Sequence, residues 1–482
     1  MGTLTNGLRS ARVRRGMAGA AIVLATGGLI LARASSAAPR GTGSVITTPL
    51  PLLPMTGSNA TKFSGPGAHG QVALSHTKVL AGRGESLFAE VRLAADKGEA
   101  APERAPLALV VVLDTSGSMD GEKISRAKES VLGLMRDMRD DDEIAFVRYA
   151  SDAELIQPLA RLGNVRGALA SRVRSLEAGG GTNIPSGLAM GLQTLGEAER
   201  GRVRRVVLVS DGLDSTRAQA ERLASDSAER GITVSSMGIG LDFDETYMSS
   251  IARDGHGNFG FVNDGAALST FLHRELDEAS STTVENATVR LTLPNGVRFV
   301  RASGADARVE GSAVIVKMGS LFAGDERRAV VELATDLDVN DARQLSTEAL
   351  WHRVGGSDAD IHAPDMTLVA SLDASEVQRG RDSTVLASAA SVVSSERELE
   401  AAQAYARGDQ ATAHKLIQQN MAALSSAAAS APAPVAAALT RQASAYSGQL
   451  RDFEAAPASD EGKRAAKSAA AKESSNLGRS AY

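Results

Sequence analysis

Residues 107–119 read LALVVVLDTSGSM, from Leu107 to Met119, and this stretch decides the fold. The run from Leu107 to Leu113 has no polar face, which is the pattern of a parallel strand covered on both sides rather than a strand with one wet face. It stops at Asp114, and the turn that follows offers the hydroxyls of Thr115, Ser116 and Ser118 around Gly117. A stretch of helical period then runs from Lys123 to Arg139, with Ile124, Ala127, Val131, Leu134 and Met138 on one face. A buried strand, an oxygen-rich turn and an amphipathic helix in that order predict an open α/β sheet with a ligand site at the strand's carboxyl end.

The same rhythm continues outward. Glu143 to Tyr149 and Ala153 to Leu159 read as strands, and Val165 to Leu176 as a helix. The loop Gly179-Gly180-Gly181-Thr182-Asn183 leads into a further helix ending near Leu195. Arg205 to Val209 is a second apolar strand, closing on Ser210-Asp211-Gly212; Ile232 to Ile239 is a third. Helices around Thr216 to Glu229 and Asp244 to Ala252 supply cover. A doubly wound, mostly parallel sheet is therefore expected over residues 106–280.

Such a sheet brings three segments to one rim: Asp114 to Ser118, the glycine-rich loop with Thr182, and Ser210-Asp211. Two carboxylates and three hydroxyls, Asp114, Ser116, Ser118, Thr182 and Asp211, make an all-oxygen site suited to a hard divalent cation, Mg²⁺ or Mn²⁺ before Zn²⁺. Few anionic ligands leave such an ion Lewis-acidic, so a carboxylate from another molecule is drawn to an open coordination position.

DTSGSM resembles the Asp-x-Ser-x-Ser element of the metal-ion-dependent adhesion site of von Willebrand factor A-type domains, and GGGTN and SDG are similar to that site's second and third loops. All five positions stand in the family's order between Leu107 and about Glu278. The resemblance implies a Rossmann-like domain in which Ser116 and Ser118 bind the ion directly, Thr182 directly or through water, and Asp114 and Asp211 mainly through water. More broadly, the chain resembles bacterial secreted proteins that join such a domain to β segments, similar in outline to inter-alpha-trypsin inhibitor heavy chains. That wider likeness rests on Gly121-Glu122-Lys123 and on residues 319–331, GSLFAGDERRAVV.

The flanks alternate. Val72 to Leu74 and Leu87 to Leu93 precede the central domain. Val289, Leu291 and Leu293, then Val297 and Phe299, Val314 to Met318, Ala329 to Leu333 and Met366 to Leu372 follow it. Neither flank has enough strands for an independent sandwich, so the residue 71–105 flank is expected to pair with a β-sandwich-like module at 281–375, the α/β domain being inserted between them. Residues 383–455 are alanine-rich with helical period and predict a local helical segment. Residues 456–482 lack an aliphatic stripe and are expected to be a disordered tail.

Before Pro39 the chain carries Arg9, Arg12, Arg14, Arg15 and Arg33 and no acid, with an uncharged apolar stretch from Met17 to Ala32 and a small-residue run after it. This predicts a secretory signal peptide at 1–38, the alternative being a retained membrane anchor, which is the one route to membrane contact. Residues 39–70, rich in Thr, Pro, Gly and Ser, are expected to be a disordered linker. Without the signal segment the net charge moves from −5 to about −10. That acidity, with aromatics at 3%, argues against a nucleic-acid partner. Cysteine is absent from all 482 residues, which excludes thiolate metal sites and thiol catalysis.

Other signals carry no site. Gly255 to Gly260 matches G-x-G-x-x-G but follows a helix and leads into a strand, the reverse of a dinucleotide fingerprint. Asp336 to Asn340 begins like a calcium loop, but Asp341 and Thr347 stand where glycine and the bidentate Glu belong. No H-E-x-x-H or G-x-S-x-G occurs. The expectation is a secreted or envelope-associated, non-enzymatic protein whose bound cation captures an acidic side chain of a protein partner. A structural role in envelope assembly and metal-dependent hydrolysis are the alternatives.

Overall fold

Four short strands, β1 (Ala60–Gly65), β2 (Ala68–Leu74), β3 (Lys78–Leu80) and β4 (Glu85–Ala95), open the chain in a computed structural model that describes residues 59–477 apart from 83, 98–104, 200, 213–215 and 263–264. The expected signal peptide and most of the expected linker lie outside the described residues. An α/β region follows: β5 (Leu107–Asp114), α1 (Glu122–Asp137), β6 (Glu143–Tyr149), β7 (Ala153–Arg161), α2 (Leu162–Arg174), α3 (Ile184–Leu195), β8 (Val203–Ser210), α4 (Arg217–Glu229), β9 (Ile232–Ile239), α5 (Glu245–Asp254), β10 (His256–Val262) and α6 (Gly265–Ser280). Seven strands come next, β11 (Thr282–Thr292), β12 (Val297–Ser303), β13 (Asp306–Glu310), β14 (Ala313–Phe322), β15 (Glu326–Thr335), β16 (Ala342–Arg353) and β17 (Asp358–Ser371). The helices α7 (Ala374–Arg379), α8 (Ser383–Ala406), α9 (Gln410–Ser430), α10 (Ala433–Asp452) and α11 (Asp460–Asn476) complete it.

The central sheet has the order β10-β9-β8-β5-β6-β7, parallel throughout except that β7 runs antiparallel to β6 at one edge. Every residue of β5 is buried because its two faces belong to two cores. Leu107, Leu109, Val111 and Leu113 pack against α1, α2 and α6, and Ala108, Val110 and Val112 against α3, α4 and α5. This double burial is what the unbroken apolar run encodes. The chain leaves β5 for β6 on one side and returns to β8 on the other, so the carboxyl ends of β5 and β8 flank the point where the winding reverses.

Two further sheets, β1-β2-β4-β15-β12 and β13-β14-β11-β16-β17-β3, face each other across a shared core that includes Leu74, Val91 and Leu93 of the first and Val289, Val316, Trp351 and Leu368 of the second. Strand β4, from before the α/β domain, pairs antiparallel with β15 from after it, Val91 opposite Ala329. The central domain is thus inserted into the sandwich. One expectation fails here: residues 60–65 and 68–70, assigned to a disordered linker, are already sheet. Phe63 is buried against Trp351, with ring centroids 6.5 Å apart, and a Cβ on Gly70 would lie 2.5 Å from the Phe63 ring. Glycine here makes room for an aromatic ring, although in composition it reads as linker.

The expected tail at 456–482 is likewise mostly helix, since α11 docks on α8, α5 and β10. Its buried face consists of Gly462, Ala466, Ala469, Ala470 and the polar Lys467, Glu473 and Asn476, so it shows no aliphatic stripe. Lys467 is held by Glu245 at 2.7 Å and the Phe243 carbonyl at 2.7 Å, with its ammonium 4.2 Å from the Phe243 ring centroid. Burial without a full set of donors also characterises Glu398 of α8. Asn420 donates one hydrogen bond to it at 2.9 Å. Burial chiefly, with the nearby Glu473 charge adding, raises its carboxyl to about 8. The folded chain therefore keeps Glu398 neutral over a range in which the unfolded chain ionises. Stability is expected to fall as pH rises from about 4.5 to about 8, by on the order of 4 kcal/mol, and Glu398→Gln should flatten that slope. Urea midpoints at pH 5 and pH 8 for both proteins check it.

Candidate metal centre

Strand β5 ends by presenting Asp114, fully buried, to a turn that wraps around its carboxylate. The Ser116 backbone N–H donates to Asp114 Oδ1 at 2.8 Å, and the Ser210 hydroxyl at the end of β8 donates to Oδ2 at 2.7 Å. Ser116 and Ser118 bring their hydroxyl oxygens to 3.0 Å, and Ser118 donates to Asp211 Oδ1 at 2.8 Å. Asp114, Ser116, Ser118 and Asp211 thereby form one continuous hydrogen-bonded string across the ends of β5 and β8. Asp114 and Asp211 are buried, whereas Ser118 is exposed. Both ends of the string are buried carboxylates, and it opens to solvent in between, at Ser118.

The second loop is fastened to the first by backbone bonds: the Gly117 N–H donates to the Gly180 carbonyl at 3.0 Å, and the Gly179 N–H to the Thr115 carbonyl at 2.7 Å. Gly180 has φ +86°, a turn that an L side chain rarely adopts. Ser151 steadies the loop by accepting from the Gly181 N–H at 2.9 Å, and the Asn183 side chain caps α3 through the Ser186 N–H at 3.1 Å. Thr182, half-buried, lies against Gly212. A Cβ at that glycine would stand 2.8 Å from Thr182 Oγ1, so only glycine lets the third loop approach so closely. All five candidate ligands meet on one rim, though Thr182 joins by packing and forms no hydrogen bond to the other four among the described residues.

Two carboxylates close together in a low-dielectric setting repel. Burial, reinforced by the Asp211 charge, holds the Asp114 carboxyl above the ordinary carboxylate range, against the hydrogen bonds from Ser116 and Ser210. A cation answers that field. Lys123, in the first turn of α1, donates from Nζ to Asp211 Oδ2 in a short ion pair and to the Ser118 carbonyl at 3.1 Å. Reading the sequence for metal ligands missed Lys123, which there belongs only to a helix start. Ser210, which the sequence shows only as a neighbour of Asp211, is a partner of Asp114. The donor set fits a hard divalent cation: the side chains of the five residues offer only oxygen donors, two of the five are carboxylates, and a positive charge is already drawn to one of them.

A second titratable cluster, Glu348, Asp360 and His362, lies on the outer face of β16 and β17 with ligand atoms within 4.8 Å of one another. Arg290 engages Glu348 at 3.2 Å. Glu348 is half-buried, while Asp360 and His362 are exposed.

Residues 108–274 match the family model of the von Willebrand factor type A domain. Among curated proteins, sll0103 of Synechocystis sp., itself described as uncharacterized, is 28% identical over 262 residues, covering 51% of this chain and 62% of that protein. Inter-alpha-trypsin inhibitor heavy chain H4 of Bos taurus is 31% identical over 116 residues, 22% of this chain and 13% of that protein. The chain thus spans less than two thirds of the length of these curated relatives. Among solved structures, a von Willebrand factor type A protein from Catenulispora acidiphila superposes with TM-score 0.64 over 82% of this chain and 91% of that one, at 18% identity, a likeness of fold. With the sheet order and the three converging loops, these likenesses establish that residues 108–274 of the chain form a von Willebrand factor type A domain.

Proposed function

We propose that this chain is a non-enzymatic binding protein, exported or associated with the cell envelope, that captures an acidic side chain of a protein partner through Mg²⁺ or Mn²⁺ held at Asp114, Ser116, Ser118, Thr182 and Asp211. The observation that carries this reading is the hydrogen-bonded string from Asp114 through Ser116 and Ser118 to Asp211. The bound ion would supply a Lewis-acidic position for the partner's carboxylate. Ser118, the exposed member of the string, gives that carboxylate access, while the buried Asp114 orients the turn through Ser116 and ties β5 to β8 through Ser210.

The hydrolytic alternative needs a general base within reach of a water. Among the described residues, the hydrogen-bond partners of the five outside their own set are hydroxyls, backbone groups and Lys123, with no imidazole and no further carboxylate among them. Export rests on the basic, apolar and small-residue sequence of residues 1–38; among the described residues no helix is long and apolar enough to cross a membrane. The test is capture from a native envelope extract by the full chain. Partner recovery should require Mg²⁺, fail in chelator and fail with Asp114→Ala. Recovery indifferent to both treatments would contradict the reading.

A further inference from the structure

Lys123 stands where its charge has a consequence for the metal. Its ammonium is paired with Asp211, whose side chain is fully buried, and it donates a second bond to the carbonyl of Ser118. The ammonium therefore grips two of the residues assigned to the ion, from a side chain that is itself 30% exposed. Its path is built. Gly121, with φ +78°, turns the chain into α1 so that Lys123 faces back over the rim. Gly240, at the end of β9 with φ +79°, lies so close that a Cβ there would be 3.2 Å from Lys123 Cε. The lysine stem crosses from the β5 loop toward β9, and its head closes on the β8 loop.

A divalent cation and an ammonium attracted to one carboxylate repel each other strongly where the carboxylate is buried. The ammonium has an alternative, since its stem is partly exposed and a lysine head is well solvated. Resting on the reading of this rim as a metal site, we propose that Lys123 is a tethered cation that competes with the divalent ion for Asp211, so that metal binding requires its release. The site is thereby set to a weaker affinity than its oxygen donors alone would give, and its occupancy responds to the divalent concentration outside the cell rather than being permanent. The opposite role is physically distinct: a lysine that helped by holding Asp211 in place would make binding tighter.

The experiment is a titration of the full chain with Mn²⁺, free ion being followed by electron paramagnetic resonance, in wild type, Lys123→Met and Lys128→Met. Lys128, also on α1, bonds the Arg174 carbonyl at 3.2 Å and serves as the control for lost charge. Lys123→Met is expected to tighten Mn²⁺ binding by about tenfold or more, the scale of one unit charge removed from the rim, with Lys128→Met within about twofold of wild type. Equal affinity in wild type and Lys123→Met, weaker binding in Lys123→Met, or equal tightening by both substitutions would each overturn competition while leaving the metal site standing. No Mn²⁺ binding by any of the three would overturn the metal reading itself. Unchanged circular dichroism of Lys123→Met at the titration temperature confirms that the affinity, and not the fold, is being read.

Discussion

Asp114→Ala is expected to weaken divalent-metal binding by about 100-fold or more while the protein keeps its fold. Asp114 lies between the first turn of the site and the end of β8. Its two oxygens accept from the Ser116 N–H and the Ser210 hydroxyl, so it fixes both the first turn of the site and the spacing of β5 from β8 at their carboxyl ends. Without it, the Ser116 and Ser118 hydroxyls lose their orientation together, and one of the two negative charges is gone. The fold should survive, because the substitution leaves two donors unpaired at a cost of about 1–3 kcal/mol each at most and also relieves burial of a carboxylate beside Asp211. Asp114→Asn, which keeps the shape, separates charge from geometry and should lose most of the affinity with a smaller change in stability. Calorimetric Mg²⁺ titration alongside urea unfolding measures both quantities. A variant that binds Mg²⁺ like wild type would place the ion elsewhere.

The largest expected effect on stability lies far from the rim, where α8 covers the β4–β15 pair. Arg92 and Arg328 stand opposite one another in register, and both reach Glu90, at 2.9 and 3.1 Å. Glu90 and Arg328 are almost wholly buried, and Ser388 of α8 donates to the same carboxylate, so one anion ties the two strands to the helix. Burial pulls the Arg328 guanidinium down to about 10, with Glu90 opposing the fall. Glu90→Leu removes the main counter-charge of two buried cations and should cost about 3–5 kcal/mol, with partial loss of α8 docking. The double substitution Glu90→Leu/Arg328→Met should recover a large part, because a pair replaced by apolar groups leaves less charge stranded. Urea denaturation of the wild type and the two variants decides it. A loss below about 1 kcal/mol in Glu90→Leu would show that the network contributes little.

How far the fold could be read from the sequence depended on where chemistry and pattern coincide. Leu107 to Leu113 announces a doubly covered strand, and the oxygen-rich turns after it and after Val209 lie at strand ends, so the sheet and four of the five rim residues follow from local pattern. Thr182 follows from its glycine loop, but what seats it, the absence of a side chain on Gly212, is visible only in three dimensions. Lys123 was hidden because its partner Asp211 lies 88 positions away. The misread ends have a common cause. Phe63 and Gly70 form a packed pair inside a stretch whose composition resembles linker, and α11 buries alanines and Lys467 where a periodicity test looks for leucine and valine.

The most direct measurement is the stoichiometry and competition of metal binding by the full chain. The account predicts one Mn²⁺ per chain, displaced by Mg²⁺ and lost in Asp114→Ala. No bound ion at millimolar Mn²⁺, or an ion whose affinity ignores Asp114, would contradict the central claim that the three converging loops form an all-oxygen cation site.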